Sequence, residues 1–477
     1  MTGSLVLNGD PAEDLEAATK HYVDAHSDSS KVGDIKVTTR TDLGNAWALC
    51  NGSAIDTDAY PLLNEYASER FDSALAATWK STTPLSANYG YSFGNLKFLN
   101  GYYLWPYSTG GYVRIAYKKN WEDAWETTGN VTSSILKEIY YIGDYYVLTE
   151  NSSSATYAVY SKDFKSWFTG TVPAPFGNLT VNAGVVQIGD SLYGTSCSVS
   201  GYTATMKLWK MSANSISSGF TVIQTISLST GGMYDSAYVS GSDRWFYNEV
   251  QGKYFFAFGT GGNSNYSVSI YVLDQQTDQI EAKHTFSLSG TSGMRFIDAG
   301  DCVIAATSST YSYMSKNTLD WDAWTEFTPP TTNISLVTKI KDEYVFVSAP
   351  NKQAIAYYTK TLGGTAKEYT ISIDHVSRVV AANGIILVLD ILYYQNWQSG
   401  TKIWMLNDTD VGFEQINPIV NISTPYGTTA YFEYLTGILY LRLSVNSSGD
   451  PILYYVQATF PTITFDGAYA YIKVKEE

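Results

Sequence analysis

A tight Gly, Asn or Asp turn between two hydrophobic runs recurs eight times in this chain, and no other feature limits its fold as strongly. The segments are Leu96–Pro106, Ile139–Thr149, Val185–Thr195, Asn248–Phe258, Arg295–Ala306, Thr338–Ser348, Arg378–Leu389 and Phe432–Arg442. Each reads as a β-hairpin whose turn residue tolerates positive φ. The turn residues Gly101, Gly143, Gly189, Gly252, Gly300, Asp342, Gly384 and Gly437 recur at roughly the 40–50-residue interval of β-propeller blades. One interval, Gly189 to Gly252, is longer and reads as carrying an insertion. The expectation is an all-β chain containing a seven- or eight-bladed β-propeller. Eight is favoured by the hairpin count; seven holds if one unit belongs to a strand-exchange closure.

Composition agrees. Charged residues make up 16% of the 477, while Tyr alone numbers 40. Tyr, Thr, Ser, Val and Gly are residues of strands and turns. The net charge of −15 argues against a nucleic-acid partner, because no Lys/Arg cluster stands ready to neutralise phosphates. No segment is long and apolar enough to insert in a membrane, and the N-terminus lacks the basic-then-apolar order of a secretory signal peptide. Cys50, Cys197 and Cys302 form neither a disulfide framework nor a metal motif and read as reduced, buried thiols.

The N-terminal segment differs from the repeats. Asp10 and Pro11 cap a helix running to about His26, with Leu15, Ala18, Tyr22 and Ala25 spaced as a narrow oligomerisation seam. A helix docked on its own domain is the rival reading. The stretch Thr2–Asp24 (TGSLVLNGDPAEDLEAATKHYVD) resembles a linker unit of bacteriophage tail fibres. Val32–Leu63 resembles the start of the phage tail-collar family in Gly33-Asp34-Ile35, Trp47, Cys50-Asn51-Gly52 and Tyr60-Pro61. Phe460–Lys475 resembles that family's closing strand, with Ala470-Tyr471-Ile472-Lys473 at its centre. After Tyr60-Pro61 the family's Pro-Asp-Leu-Arg-Gly-type phrase is missing, and the chain runs into the repeats instead.

That departure reads as an insertion. The expected domains are a linker and helix (1–31), a split collar-like domain (32–66 plus 460–477) and the propeller (67–459). Three phrases ending in aromatics, Tyr117–Trp125, Tyr160–Trp167 and Ser315–Trp324, resemble degenerate Asp-box turns of sialidase-like propellers. Such turns are structural: Asp closes the turn and Trp packs between blades.

If the tight turns share one end of the ring, the loops after each second strand share the other. These loops cover 107–112, 151–156, 196–203, 260–266, 307–313, 350–353, 393–400 and 446–450, and are rich in Ser, Gly, Asn and Tyr. That mixture combines rigid aromatic anchors with adaptable hydrogen-bonding groups. Tyr107, Tyr112, Tyr202, Tyr266, Tyr311 and Trp397 are the candidate contacts to a receptor or glycan.

Catalysis is not expected. His21, His26, His284 and His375 form no metal or nucleophile motif and read as surface residues. A sialidase-like mechanism needs three convergent arginines and a Tyr–Glu pair; among seven arginines, Arg114, Arg244, Arg295, Arg378 and Arg442 lie in the repeats, with no context marking a triad. No cofactor or metal site is predicted. The resemblance implies a phage tail-fibre or tail-tip protein of the virion, made in the host cytoplasm. It would be a homotrimer that joins other tail proteins and binds a bacterial cell-surface glycan or protein. A glycan-degrading tail enzyme and a purely structural tip protein are the alternatives.

Overall fold

In the computed structural model the residues described are 35–38, 46–50, 80–82, 92–109, 111–131, 136–150, 158–169, 185–200, 203–229, 238–241, 245–261, 265–289, 294–307, 309–350, 352–373, 376–382, 384–393, 399–406, 412–416, 429–435, 438–444, 452–457, 464–465 and 468–473. The N-terminal helix with Leu15, Ala18, Tyr22 and Ala25, the turn residue Gly437, and Tyr202 and Trp397 lie outside them. The architecture is all-β, a series of antiparallel meanders consistent with a propeller-like fold.

Eight sheets follow one order in sequence. Sheet one runs Lys97–Leu99 (with Ser92–Phe93), Tyr102–Thr109, Tyr112–Lys118, Glu126–Thr127, and sheet two Leu136–Ile142, Tyr145–Glu150, Ala158–Ser161, Phe168–Thr169. Sheet three runs Val185–Ile188, Ser191–Ser200, Thr203–Ser212, Thr221–Ser229, and sheet four Phe246–Asn248 (with Tyr238–Gly241), Lys253–Gly261, Asn265–Asp274, Gln279–Ser289. Sheet five runs Arg295–Asp298, Cys302–Ala306, Tyr311–Ser315, Thr325–Phe327, and sheet six Leu336–Ile340, Glu343–Ser348, Gln353–Thr359, Lys367–Ser372. Sheet seven runs Val376–Ala382, Ile385–Tyr393, Ser399–Leu406, Glu414–Ile416. Sheet eight runs Thr429–Leu435, Ile438–Ser444, Ile452–Gln457, and its outer strand comes from far upstream: Lys80–Thr82 pairs with Leu453–Tyr455. In sheets five to eight the first strands lie side by side.

The second strands explain the hydrophobic runs. Cys302–Ala306 is buried at every position, and Val345–Ser348 and Ile385–Leu389 are buried throughout. A strand covered on one face alternates apolar and polar residues; one covered on both faces does not. From sheet one to sheet seven, each sheet shares a core with the next. Leu104, Val113 and Ile115 of sheet one meet Ile139 and Leu148 of sheet two. Met206 and Leu208 of sheet three meet Phe256 and Tyr271 of sheet four. Ile304 and Tyr311 of sheet five meet Val337 and Phe346 of sheet six.

The hairpin turns follow the expected chemistry with one correction. The tight turns are closed by Leu99 opposite Tyr102, Ile142 opposite Tyr145, Ile188 opposite Ser191 and Ile340 opposite Glu343. Their first residues are Asn100 (φ 50°), Gly143 (52°), Gly189 (54°) and Lys341 (51°). In the sixth hairpin the positive φ thus falls on Lys341, one residue before Asp342. The primed turn demands it at the first position, whatever residue stands there.

A ninth sheet joins both ends of the chain. Ala468–Lys473 is flanked by Ile35–Thr38, with Ile35 opposite Ile472, and by Trp47–Leu49, with Trp47 opposite Lys473. Ala46, Trp47 and Tyr471 share a small core. The chain divides into two compact units: residues 1–77, 436–439 and 456–477 make one, 78–435 and 440–455 the other.

Two glycines at the same turn position separate backbone strain from crowding. A Cβ on Gly189 would meet nothing within 4 Å, whereas one on Gly143 would lie 2.7 Å from the Ala213 Cβ of sheet three. Gly189→Ala is expected to lose about 1–2 kcal/mol from positive φ alone. Gly143→Ala should lose more, because overpacking adds about 1–3 kcal/mol. Urea denaturation of the two variants measures the difference; equal losses would refute the contact between sheets two and three.

Candidate functional site

An antiparallel meander has two ends. The tight hairpin turns and the turns between third and fourth strands share one end, and the remaining loops share the other. The first, which we call the turn end, holds most of the charged contacts among the described residues.

The three Asp-box-like turns lie there and act structurally. Asp163 Oδ1 accepts the backbone N–H groups of Lys165 (2.9 Å) and Ser166 (2.8 Å); these bonds, that of Ser166 first, hold its carboxyl down at about 2. Phe164 is buried between sheets one and two, and Trp167 Nε1 donates to the Phe164 carbonyl at 3.0 Å. In the third turn Trp321 packs among Phe255, Val303 and Met314 and donates to Gln251 Oε1 at 3.1 Å. The first turn holds a buried lysine. Lys118 Nζ donates to the Trp121 carbonyl and lies 4.2 and 4.5 Å from the Trp121 and Trp125 rings, attracted by their quadrupoles. Burial lowers the ammonium to about 8, against the opposing pull of Glu122 and Asp123. The cage lies within the Asp-box-like phrase Tyr117–Trp125, where the lysine precedes its tryptophans by three and seven residues, but nothing in that phrase marks the lysine as buried.

Charged groups at this end tie one sheet to the next. Lys210 Nζ and the Tyr193 hydroxyl, both from sheet three, donate to Asp278 of sheet four at 2.7 and 2.6 Å. Burial pushes that carboxyl up, but the bonds from Lys210 and Tyr193 outweigh it and leave it below the ordinary value. Asp301 of sheet five accepts from Lys339 (2.7 Å) and Tyr344 (2.9 Å) of sheet six. The Cys302 thiol beside them is pushed to about 12, first by burial and then by Asp301. All three cysteines are buried, and none is in a disulfide.

A Tyr–Glu pair does occur, within the first strand of sheet two. Glu138 accepts from the Tyr140 hydroxyl and, at 3.3 Å each, from Asn95 and Lys97 of sheet one. Burial, followed by the Glu138 charge, raises the Tyr140 phenol well above its ordinary value. A phenol held neutral is a poor nucleophile. Arg114 and Arg295 are engaged elsewhere, with Asn130 Oδ1 (2.9 Å) and the Ile334 carbonyl (3.0 Å). His284 also departs from the surface reading. It is half-buried, bonds Asp322 at 2.8 Å and stacks on Trp324 with centroids 5.8 Å apart. Among the described residues no group of three His, Cys, Asp or Glu side chains could hold a metal ion, and no helix is long and apolar enough to cross a membrane.

The candidate contacts at the loop end divide. Tyr112 opens the third strand of sheet one and is 45% exposed. Tyr107 and Tyr311 do not belong to an accessible face: they are 1% and 3% exposed. Tyr107 lies inside a strand buried on both faces; Tyr311 opens the third strand of sheet five with its ring packed against sheet six, and its hydroxyl donates to the Thr332 carbonyl at 3.2 Å. Tyr266 sits in the third strand of sheet four, opposite Gly261 and Leu288.

No protein-family model matches the chain, and no curated protein matches it either. Solved structures similar to it include prolyl oligopeptidase B from Galerina marginata (11% identity, TM-score 0.43, 81% of this chain and 59% of that one). The chain thus spans less than two thirds of that enzyme's length. Others are the polysaccharide lyase Uly1 (9%, TM-score 0.42, covering 80% and 99%) and the WD40 domain of SCAP from fission yeast (10%, TM-score 0.43, covering 80% and 98%). At these scores the likenesses carry no functional argument.

Lys118 gives a pH test of the cage. From about pH 8 to the ordinary lysine value near ~10.4, the unfolded chain holds a proton that the folded chain has lost. Stability from this group therefore rises with pH across that window. Comparing thermal unfolding of the wild type and Lys118→Met from pH 8 to 9.5 should show wild-type stability gaining on the variant. A constant difference would place Lys118 in solvent.

Proposed function

We propose that this chain is a phage tail-fibre or tail-tip protein that binds a receptor, an eight-bladed β-propeller inserted in a split collar-like scaffold. The observation that carries the reading is the end-joining sheet. The tail-collar resemblance assigns Trp47 and Ala470-Tyr471-Ile472-Lys473 to one unit from sequence alone, and Trp47 and Lys473 are register partners in it. The pairing of Lys80–Thr82 with the last strands of sheet eight supports an eight-bladed ring closed by strand exchange. Such a ring has adjacent ends and enters a host loop without stretching it. It also leaves no free sheet edge at its closure.

The loop end faces a bacterial surface glycan or protein, and Tyr112 is an accessible aromatic there. Each contact is weak. A homotrimer assembled through the Leu15–Ala25 seam raises avidity by linking several faces on one tail. Other tail proteins join it at the linker.

The test is to incubate the purified chain with a panel of bacterial strains and follow retention and released sugar together. Strain-specific retention without sugar release is expected, with Tyr112→Ala weakening retention at unchanged thermal stability. Sugar release would assign the chain to the hydrolases; no retention on any strain would leave only a structural tail role.

A further inference from the structure

Arg114 stands in the third strand of sheet one, near the loop end, two residues after Tyr112. Along that strand Val113 and Ile115 turn into the core shared with sheet two, so Tyr112 and Arg114 project from the opposite face. Tyr112 is exposed and Arg114 half-buried. About 7 Å of strand separates them, a distance that one sugar ring bridges.

The segment after the fourth strand holds this arginine in place. Thr128 N–H donates to the Ile115 carbonyl at 2.9 Å, and Val131 N–H to the Val113 carbonyl at 2.8 Å. Thr128 Oγ1 accepts the Ile115 N–H at 3.0 Å. These bonds pin a two-residue arch, Gly129 and Asn130, beside Arg114, and Asn130 Oδ1 accepts its Nε–H at 2.9 Å. One of the five guanidinium donors thereby fixes the plane of the group. Among the described residues no carboxylate pairs with Arg114. The arch is open: a Cβ on Gly129, or on Gly111 before Tyr112, would meet nothing within 4 Å.

Charge around the arch has one sign. Within residues 92–96, 102–117 and 127–136, Arg114 is the single charged side chain, in a chain of net charge −15. The acids that follow these stretches are engaged: Glu126 accepts from the Tyr117 hydroxyl, and Glu138 from Asn95, Lys97 and Tyr140. An oriented guanidinium without an acid matches the two oxygens of a carboxylate. An exposed ring beside it matches the apolar face of a sugar.

Resting on the receptor-binding reading above, we infer that Tyr112, Arg114 and Asn130 form a subsite for a carboxylate-bearing sugar, a uronic acid within a surface saccharide. The Arg114 fork takes the carboxylate, Tyr112 packs under the ring, and the Asn130 amide donates to a ring hydroxyl. The acidic chain repels such a ligand at long range. Salt screens that repulsion beyond about 8 Å at physiological ionic strength, whereas the close, partly buried contact is screened much less.

The test measures the full chain on an array of neutral, uronate-bearing and phosphorylated oligosaccharides at physiological salt. Uronate-bearing members are expected to bind, and free glucuronate, unlike free glucose, to compete for them. Arg114→Gln should lower that binding at least about tenfold. Arg114→Lys should recover only part of it, since an ammonium keeps the charge without the planar fork. Lys352→Gln removes an equal charge from an exposed position at the loop end of sheet six and should change nothing. Thermal unfolding verifies that the variants fold; if Arg114→Gln does not, the glucuronate competition on wild type still decides. Equal binding to neutral members, preference for phosphorylated ones, or full binding by Arg114→Gln would overturn the inference. Wild-type protein retained on cells but blind to uronates counts against this subsite alone. Wild-type protein that binds neither cells nor glycans counts against the receptor reading itself.

Discussion

Burial of the second strands on both faces is the constraint from which the rest follows. A sheet whose central strand is Cys-Val-Ile-Ala-Ala, buried at all five positions, cannot shield itself with its own side chains. It needs a neighbour on each side, and each neighbour has the same need. Such a series ends only by closing or by capping. The strand Lys80–Thr82, set beside Ile452–Gln457, completes sheet eight with residues from the opposite end of the chain. Sheet eight therefore cannot finish folding before most of the chain exists, and this long-range pairing costs loop-closure entropy.

Apolar packing sets which faces meet but is indifferent to small slips along the strands. The polar ties supply that register. Asp278 accepts only if the turn of sheet four stands level with Tyr193 and Lys210 of sheet three, and Asp301 imposes the same condition on Lys339 and Tyr344. These ties are half-buried, where a charge-assisted bond is stronger than at the surface and a lost partner is costly.

The hairpins were legible because two signals coincide in them: a turn residue suited to positive φ and unbroken apolar runs on either side. The aromatic turns were legible as structural for a similar reason, since Asp163 and Trp167 have the spacing that a closed turn with a packed ring requires. Tyr107 and Tyr311 were misread because a polar loop follows or precedes them, and sequence does not say where a strand stops. Tyr107 stays inside a strand buried on both faces, and the Tyr311 ring at the start of its strand turns into the core shared by sheets five and six. Lys118 and the Tyr140–Glu138–Lys97 group were invisible to motif reasoning, because their partners come from turns or from the neighbouring sheet. The long interval between Gly189 and Gly252 was visible as extra length; that much of it lies in lengthened strands was not.

That lengthening separates packed positions from surface positions. Residues added at the loop end of a hairpin extend a ladder that is already paired, so each new pair gains backbone hydrogen bonds and leaves the turn end untouched. Sheets three and four use the gain to extend their shared core through Cys197, Ala204 and Phe258. The outward positions are then relieved of any packing duty. Thr203, Ser227, Thr285 and Ser287 can change identity at little cost to the fold, because surface substitutions away from caps and cores shift stability by about 0.5 kcal/mol or less. Sequence can therefore drift at these positions while the seams between sheets, where a lost aromatic costs about 3–5 kcal/mol, hold the architecture fixed.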